Sequence, residues 1–146
     1  MKRDLFAIIV GCGRVGSTLA NQLSKKGHPV VVIDRYSSTF KDLSAEFSGF
    51  SLEGDATQLA VLRQAKLDKA NVFIATTHKD NVNLMVAQIA KKIFSVPTVM
   101  ARVFDPKRES LYRSLGIETI CPTCLAAEMF LKTLGERDSI DVEDIL

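Results

Sequence analysis

The stretch "IIVGCGRVGSTLA", residues 8–20, constrains this chain more than any other, because Gly11, Gly13 and Gly16 stand where a β-branched run gives way to helical spacing. In that context the first glycine allows a tight turn, the second lets the backbone approach a pyrophosphate, and the third lets helix and strand pack closely. The helix that opens there offers unpaired N–H groups and partial positive charge to an anion. Asp34 closes the next apolar run, "VVVID", where a carboxylate accepts hydrogen bonds from ribose hydroxyls. Together these residues predict a nucleotide-binding α/β unit.

The rest of the chain keeps the same rhythm. Apolar runs at 5–10, 30–34, 49–53, 71–76, 97–103 and 117–120 alternate with helical patterns, which predicts parallel strands joined by crossover helices. The runs do not alternate with polar residues, as expected of a sheet covered on both faces. The expected fold is a Rossmann-like doubly wound sheet of six strands in the order 3-2-1-4-5-6. Val15, Leu19 and Leu23 mark one helix face, which stops at "KKGHP" with Gly27 suited to the left-handed position. Val82, Met85, Val86, Ile89, Ala90 and Ile93 mark another. Asp105 and Pro106 read as a helix cap and first position, with Gly116 closing that helix. Residues 124–135 carry more apolar surface than one stripe requires, which predicts an interface.

Composition narrows the function. A net charge of +2 with scattered basic residues argues against nucleic acid. No apolar run is long enough to span a bilayer, and the start lacks a secretory pattern, so a cytosolic location is expected. Three cysteines without such a signal read as reduced thiols.

The candidate cofactor-binding residues follow from the strand ends. Gly11, Cys12, Gly13, Arg14 and Val15 form the turn and first helical residues; Asp34 and Arg35 end the second strand; Asp55 and Ala56 lie in the "EGDAT" loop where the adenine edge would lie. Thr76 and Thr77, across the switch point, are candidates to donate to phosphate or ribose, while Asp80 or Asn81 is a candidate cap for the next helix. Asp34 disfavours a 2′-phosphate, which Arg35 partly offsets, so NAD or an adenine nucleotide is expected over NADP. Arg14 is either a solvated first-turn residue or a phosphate ligand, its own or a neighbouring subunit's. Arg102 either faces the same site or pairs with Asp105. His28 falls on the opposite edge and His78 reads as solvated, and no catalytic set is legible.

These pieces resemble one family: the RCK N-terminal domain, also called KTN or TrkA-N, of potassium-transport regulatory subunits. The resemblance rests on residues 8–34, "GDAT" 54–57, "NVFIATTHKDNVNLMVAQIAKK" 71–92, "ARVFDP" 101–106 and "LGIETICP" 115–122. It implies a non-enzymatic domain over residues 1–135 that senses NAD(H), ATP, ADP or AMP. It also implies a homodimer formed through the last helices and assembled into a ring on an integral membrane potassium channel or transporter. Such a domain is cytoplasmic, peripheral on the inner face of the membrane. Arg14 matches the phosphate-binding arginine of the family. An acidic residue that helps hold a divalent cation in relatives falls around Thr123, so no metal is expected. Residues 136–146 read as an acidic tail or the start of a C-terminal RCK domain.

Two other readings compete. One is the cofactor-binding domain of an NAD-dependent oxidoreductase, against which the missing acid/base set counts. The other takes "CPTC" at 121–124 as a redox pair or half of a metal site, against the plainer reading of two small apolar residues at a strand–helix junction.

Overall fold

The computed structural model describes residues 4–138. The apolar runs become β1 (Ala7–Val10), β2 (Val30–Asp34), β3 (Phe50–Glu53), β4 (Val72–Ala75), β5 (Thr98–Arg102) and β6 (Glu118–Ile120). They form one parallel sheet in the order β3-β2-β1-β4-β5-β6, as expected. Ala7 stands opposite Val30 on one side and Val72 on the other, so β1 is held along its whole length by two neighbours. Its four residues are all buried, consistent with its central place.

The crossovers are α1 (Arg14–Lys25), a 3₁₀ segment at Ser37–Asp42, α2 (Leu59–Gln64) with a 3₁₀ turn at Leu67–Lys69, and α3 (Asp80–Lys92). A 3₁₀ turn at Pro106–Arg108 leads into α4 (Glu109–Ser114), and α5 (Pro122–Asp138) follows β6. Gly27 takes φ +86°, and His28 N–H donates to the Leu23 carbonyl at 3.0 Å, closing α1 where the sequence predicts. Asp105 Oδ1 accepts the Lys107 amide at 3.0 Å, so the expected cap exists, although it caps a 3₁₀ turn that only then becomes α4.

Two apolar clusters flank the sheet. Ile8, Val10, Ile33, Phe73 and Ala75 pack against Leu62 of α2, Val86 and Ala90 of α3, and Tyr112 of α4. Each buried Val, Leu, Ile or Phe among them contributes about 1.5–3 kcal/mol, so this larger cluster carries most of the apolar stabilisation. The opposite cluster is smaller: Ile9, Val30 and Val32 under Ala20, with Leu19, Leu23 and Phe40 at its margin. Coverage of both faces is therefore unequal. Ile74 and Met100 on this second face are only half-buried, because among the described residues α1 covers mainly the β1–β2 side. α5 is longer than the 124–135 stretch suggested and reaches past the 135/136 boundary; residues 139–146 lie outside the described residues. No helix among the described residues is long and apolar enough to cross a membrane.

Candidate nucleotide site

The strand order reverses between β1 and β4, and their carboxyl ends open on a cleft of about 240 Å³, the position where doubly wound sheets hold ligands. Gly11 turns the chain out of β1 with φ +98°, and its amide donates to the Ile33 carbonyl at 2.8 Å. Little space lies behind it: a Cβ on Gly11 would meet the Thr76 carbonyl group at 2.9 Å. Gly13, the residue before α1, is different. A Cβ there would find only His78 Nε2, at 3.7 Å, so nothing in the chain itself requires glycine at this position. The first amides of α1 have no intrahelical acceptor. An open surface beside free amides is the form a phosphate-bearing ligand needs.

Asp34 sits at the end of β2 with both oxygens engaged once: Oδ2 accepts the Cys12 amide at 2.8 Å and Oδ1 the Tyr36 amide at 2.9 Å. A carboxylate has about four acceptor sites, so roughly two remain for sugar hydroxyls. Across the cleft, Asp55 Oδ1 accepts from the Thr57 hydroxyl at 2.7 Å and the Thr57 amide at 2.9 Å. The Thr57 hydroxyl first, then its amide, holds the Asp55 carboxyl below the usual carboxylate range, so this wall is anionic.

The structure brings Gly11, Gly13, Asp34, Arg35, Asp55, Ala56 and Thr77 around the cleft. Arg14 and Val15 are exposed on the first turn of α1, next to the lining, whereas Cys12 is wholly buried beneath it. Burial, followed by the charges of Asp34 and Asp42, pushes the Cys12 thiol up to about 11, leaving it a neutral packing residue. Tyr36, Thr39, His78, Lys79 and Val82 also line the cleft and were missed. His78 is exposed, as expected, and its ring stacks with Phe104 at 6.4 Å between ring centroids.

Several expectations are corrected. Thr76 does not turn its hydroxyl outward; it is buried and donates to the carbonyls of Val10 and Gly11 at 3.1 and 3.0 Å, fastening the glycine turn to β4. Arg102 neither lines the cleft nor pairs with Asp105. Its Nη2 donates to the carbonyls of Thr76 and Thr77, its guanidinium carbon lies 4.6 Å from the Phe104 ring centroid, and Arg108 takes Asp105 at 3.8 Å. Burial lowers the affinity of the Arg102 guanidinium for its proton, with the Asp80 charge opposing. Thr77 lines the cleft, yet its hydroxyl proton goes to Asn83 Oδ1 at 2.6 Å. Asp80 also departs from its expected role: its carboxylate accepts the Phe104 and Asp105 amides at 2.8 and 3.1 Å, while Lys79 precedes α3 without a side-chain cap.

Asn83, wholly buried on α3, organises this side of the site and carried no signal in an apolar-spacing argument. Its Oδ1 also accepts the Thr77 amide at 2.9 Å, and its Nδ2 donates to the carbonyls of Thr77 and Arg102, both at 3.0 Å. Asn83→Ala takes the acceptor from the Thr77 amide and one donor each from the Thr77 and Arg102 carbonyls, and is expected to cost about 3 kcal/mol, read from the urea unfolding midpoint. An unchanged midpoint would mean that water replaces the side chain.

A parallel sheet in this order, with a glycine turn and an acidic β2 end at its switch point, defines a Rossmann-like domain. The TrkA-N domain family matches residues 7–122, and the chain belongs to that family. The Trk system potassium uptake protein TrkA of Streptomyces coelicolor is 39% identical over 127 residues, covering 87% of this chain and 57% of that protein. The TrkA homolog of Methanothermobacter thermautotrophicus is 30% identical over 136 residues, 93% of this chain and 62% of its own length. The chain thus spans less than two thirds of the length of these relatives. Among solved structures, the GsuK channel bound to NAD superposes with a TM-score of 0.78 at 27% identity, over 94% of this chain and 24% of the channel.

Proposed function

We propose that this chain is the nucleotide-sensing domain of a regulator of potassium uptake. The observation that carries the reading is the open side of Gly13, where a Cβ would meet only His78 Nε2 at 3.7 Å, facing a cleft with Asp34 at its edge. The amides of the first turn of α1 and the charge of Arg14 receive the phosphates, Asp34 takes ribose hydroxyls, and Asp55 and Ala56 border the adenine. Arg35 and Tyr36 line the sugar side. The ligand is NAD(H) or an adenine nucleotide, which the NAD complex of GsuK supports as a relative of similar fold.

The domain acts by binding rather than by catalysis. Differential affinity of a nucleotide for two arrangements of an assembly shifts their populations and so acts on a membrane pore. The names of the TrkA relatives support potassium as the ion and an integral membrane channel or transporter as the partner. The exposed row of Leu125, Met129, Phe130 and Leu134 on α5 supports a homodimer, assembled further into a ring, because a contiguous apolar face marks an interface. The domain is placed in the cytoplasm, on the inner face of the membrane.

The test is calorimetric titration and thermal unfolding of the chain with NADH, NAD, ATP, ADP and AMP. At about 100 times its dissociation constant a ligand stabilises the fold by about 2.7 kcal/mol. Stabilisation by some of the five, weakened about tenfold or more in affinity by Asp34→Ala and by Arg14→Ala, is the expected result. No binding of any by protein refolded free of ligand would overturn the reading.

A further inference from the structure

The two cysteines of "CPTC" meet in the fold. Cys121 ends β6 and Cys124 lies in the first turn of α5, with Sγ atoms 2.6 Å apart. The Cys124 amide donates to Cys121 Sγ at 3.3 Å, which holds the two side chains on one side of the first turn of α5. Cys121 is 4% exposed and Cys124 half-buried, so the pair is reached from the Cys124 side. Cys12, the remaining cysteine, belongs to the cluster on the other face of the sheet.

We propose that Cys121 and Cys124 are a reversible disulfide site at the root of α5, oxidised by low-molecular-weight disulfides. A disulfide bond of about 2.05 Å requires the sulfurs to close by only roughly half an ångström. Cys124, the cysteine reached from solvent, gives its proton to solvent and attacks one sulfur of the small disulfide, forming a mixed disulfide and expelling one small thiolate. Cys121 then gives its proton to solvent and attacks Cys124 Sγ, closing the ring and expelling the second. The protein loses two electrons, the small disulfide gains them, and the two protons lost by the cysteines end on the two small thiols. Contact with the Cys121 side chain, followed by burial, pushes the Cys124 thiol up to about 11. Attack by Cys124 on the small disulfide is therefore the slower step, and ring closure by the adjacent Cys121 the faster. The bond has mechanical meaning because α5 joins the domain here: Thr123 Oγ1 donates to the Phe104 carbonyl at 3.4 Å, and from Leu125 to Phe130 the helix is exposed.

The experiment treats the full chain with bis(2-hydroxyethyl) disulfide, quenches with N-ethylmaleimide and maps tryptic peptides by mass. Cys121 and Cys124 share the peptide 114–132, and Cys12 lies in another. The expected product is peptide 114–132 lighter by two hydrogens, unlabelled, and restored by dithiothreitol. Cys121→Ser is expected to retain a stable mercaptoethanol adduct on Cys124. Ring closure is expected about tenfold or more faster in the folded chain than in urea, since the fold holds the sulfurs together. Full labelling of both cysteines, persistent adducts without closure in the unsubstituted chain, or equal rates folded and unfolded would each overturn the proposal.

Discussion

Gly16→Ala is expected to remove about 4 kcal/mol or more of stability, a large part of the 5–15 kcal/mol that holds a typical domain together. The added Cβ would lie 1.8 Å from the Gly11 carbonyl oxygen and 2.9 Å from both the Gly11 carbonyl carbon and Thr76 Oγ1. None of these atoms can give way cheaply. The Gly11 oxygen accepts the Thr76 hydroxyl, the Gly11 amide is fixed to Ile33, and the Thr76 carbonyl group already stands against Gly11 on the other side. Relief would have to move α1 away from β1 and break the junction with β4. Guanidinium unfolding followed by circular dichroism reads the effect. A loss below about 1 kcal/mol would show that the turn relaxes as readily as an exposed surface loop.

Gly13→Val is expected to do the reverse, sparing the fold and abolishing binding. The residue has φ −81° and ψ −156°, a conformation any side chain adopts, and its Cβ direction is open apart from His78 Nε2 at 3.7 Å. Loss of a favourable residue before the helix costs about 1 kcal/mol. The branched side chain would occupy the surface over which the phosphates pass. Affinity for NADH should therefore fall about 100-fold or more, equivalent to about 2.7 kcal/mol, measured by calorimetric titration on a variant first shown to unfold cooperatively. Unchanged affinity would place the phosphates elsewhere and remove the main support for the proposed ligand pose. The pair of substitutions separates two reasons for glycine within one motif: Gly16 answers to the protein's own packing and Gly13 to a guest.

Much of this was legible in the sequence because backbone demands show themselves as residue types. The turn, the end of β2 at Asp34 and the loop at Asp55 lie where the run lengths place them. Even the weak run at β3 forms an edge strand, paired only with β2. What stayed hidden depends on direction rather than identity. Thr76 and Arg102 are of types suited to phosphate, and only the fold shows that their polar atoms point at the glycine turn and its neighbouring loop. Asn83 interrupts an apolar face and could not be told from a surface residue without knowing that Thr77 and Arg102 lie opposite. Tyr36 and Thr39 enter the cleft because the chain after β2 coils into a 3₁₀ segment instead of running straight into a helix.

The place of β1 has a consequence during synthesis. One edge of β1 pairs with Val30–Ile33, which follow within about one helix of chain, but the other waits for Val72–Ala75. Contacts this distant in sequence form late and slowly. Until residue 75 clears the ribosome, Ala7–Val10 presents an unpaired, apolar strand edge, the kind of surface that recruits other nascent chains. The same central position that protects β1 in the finished domain leaves one of its edges open for some sixty residues of synthesis, roughly the separation between Val10 and Val72.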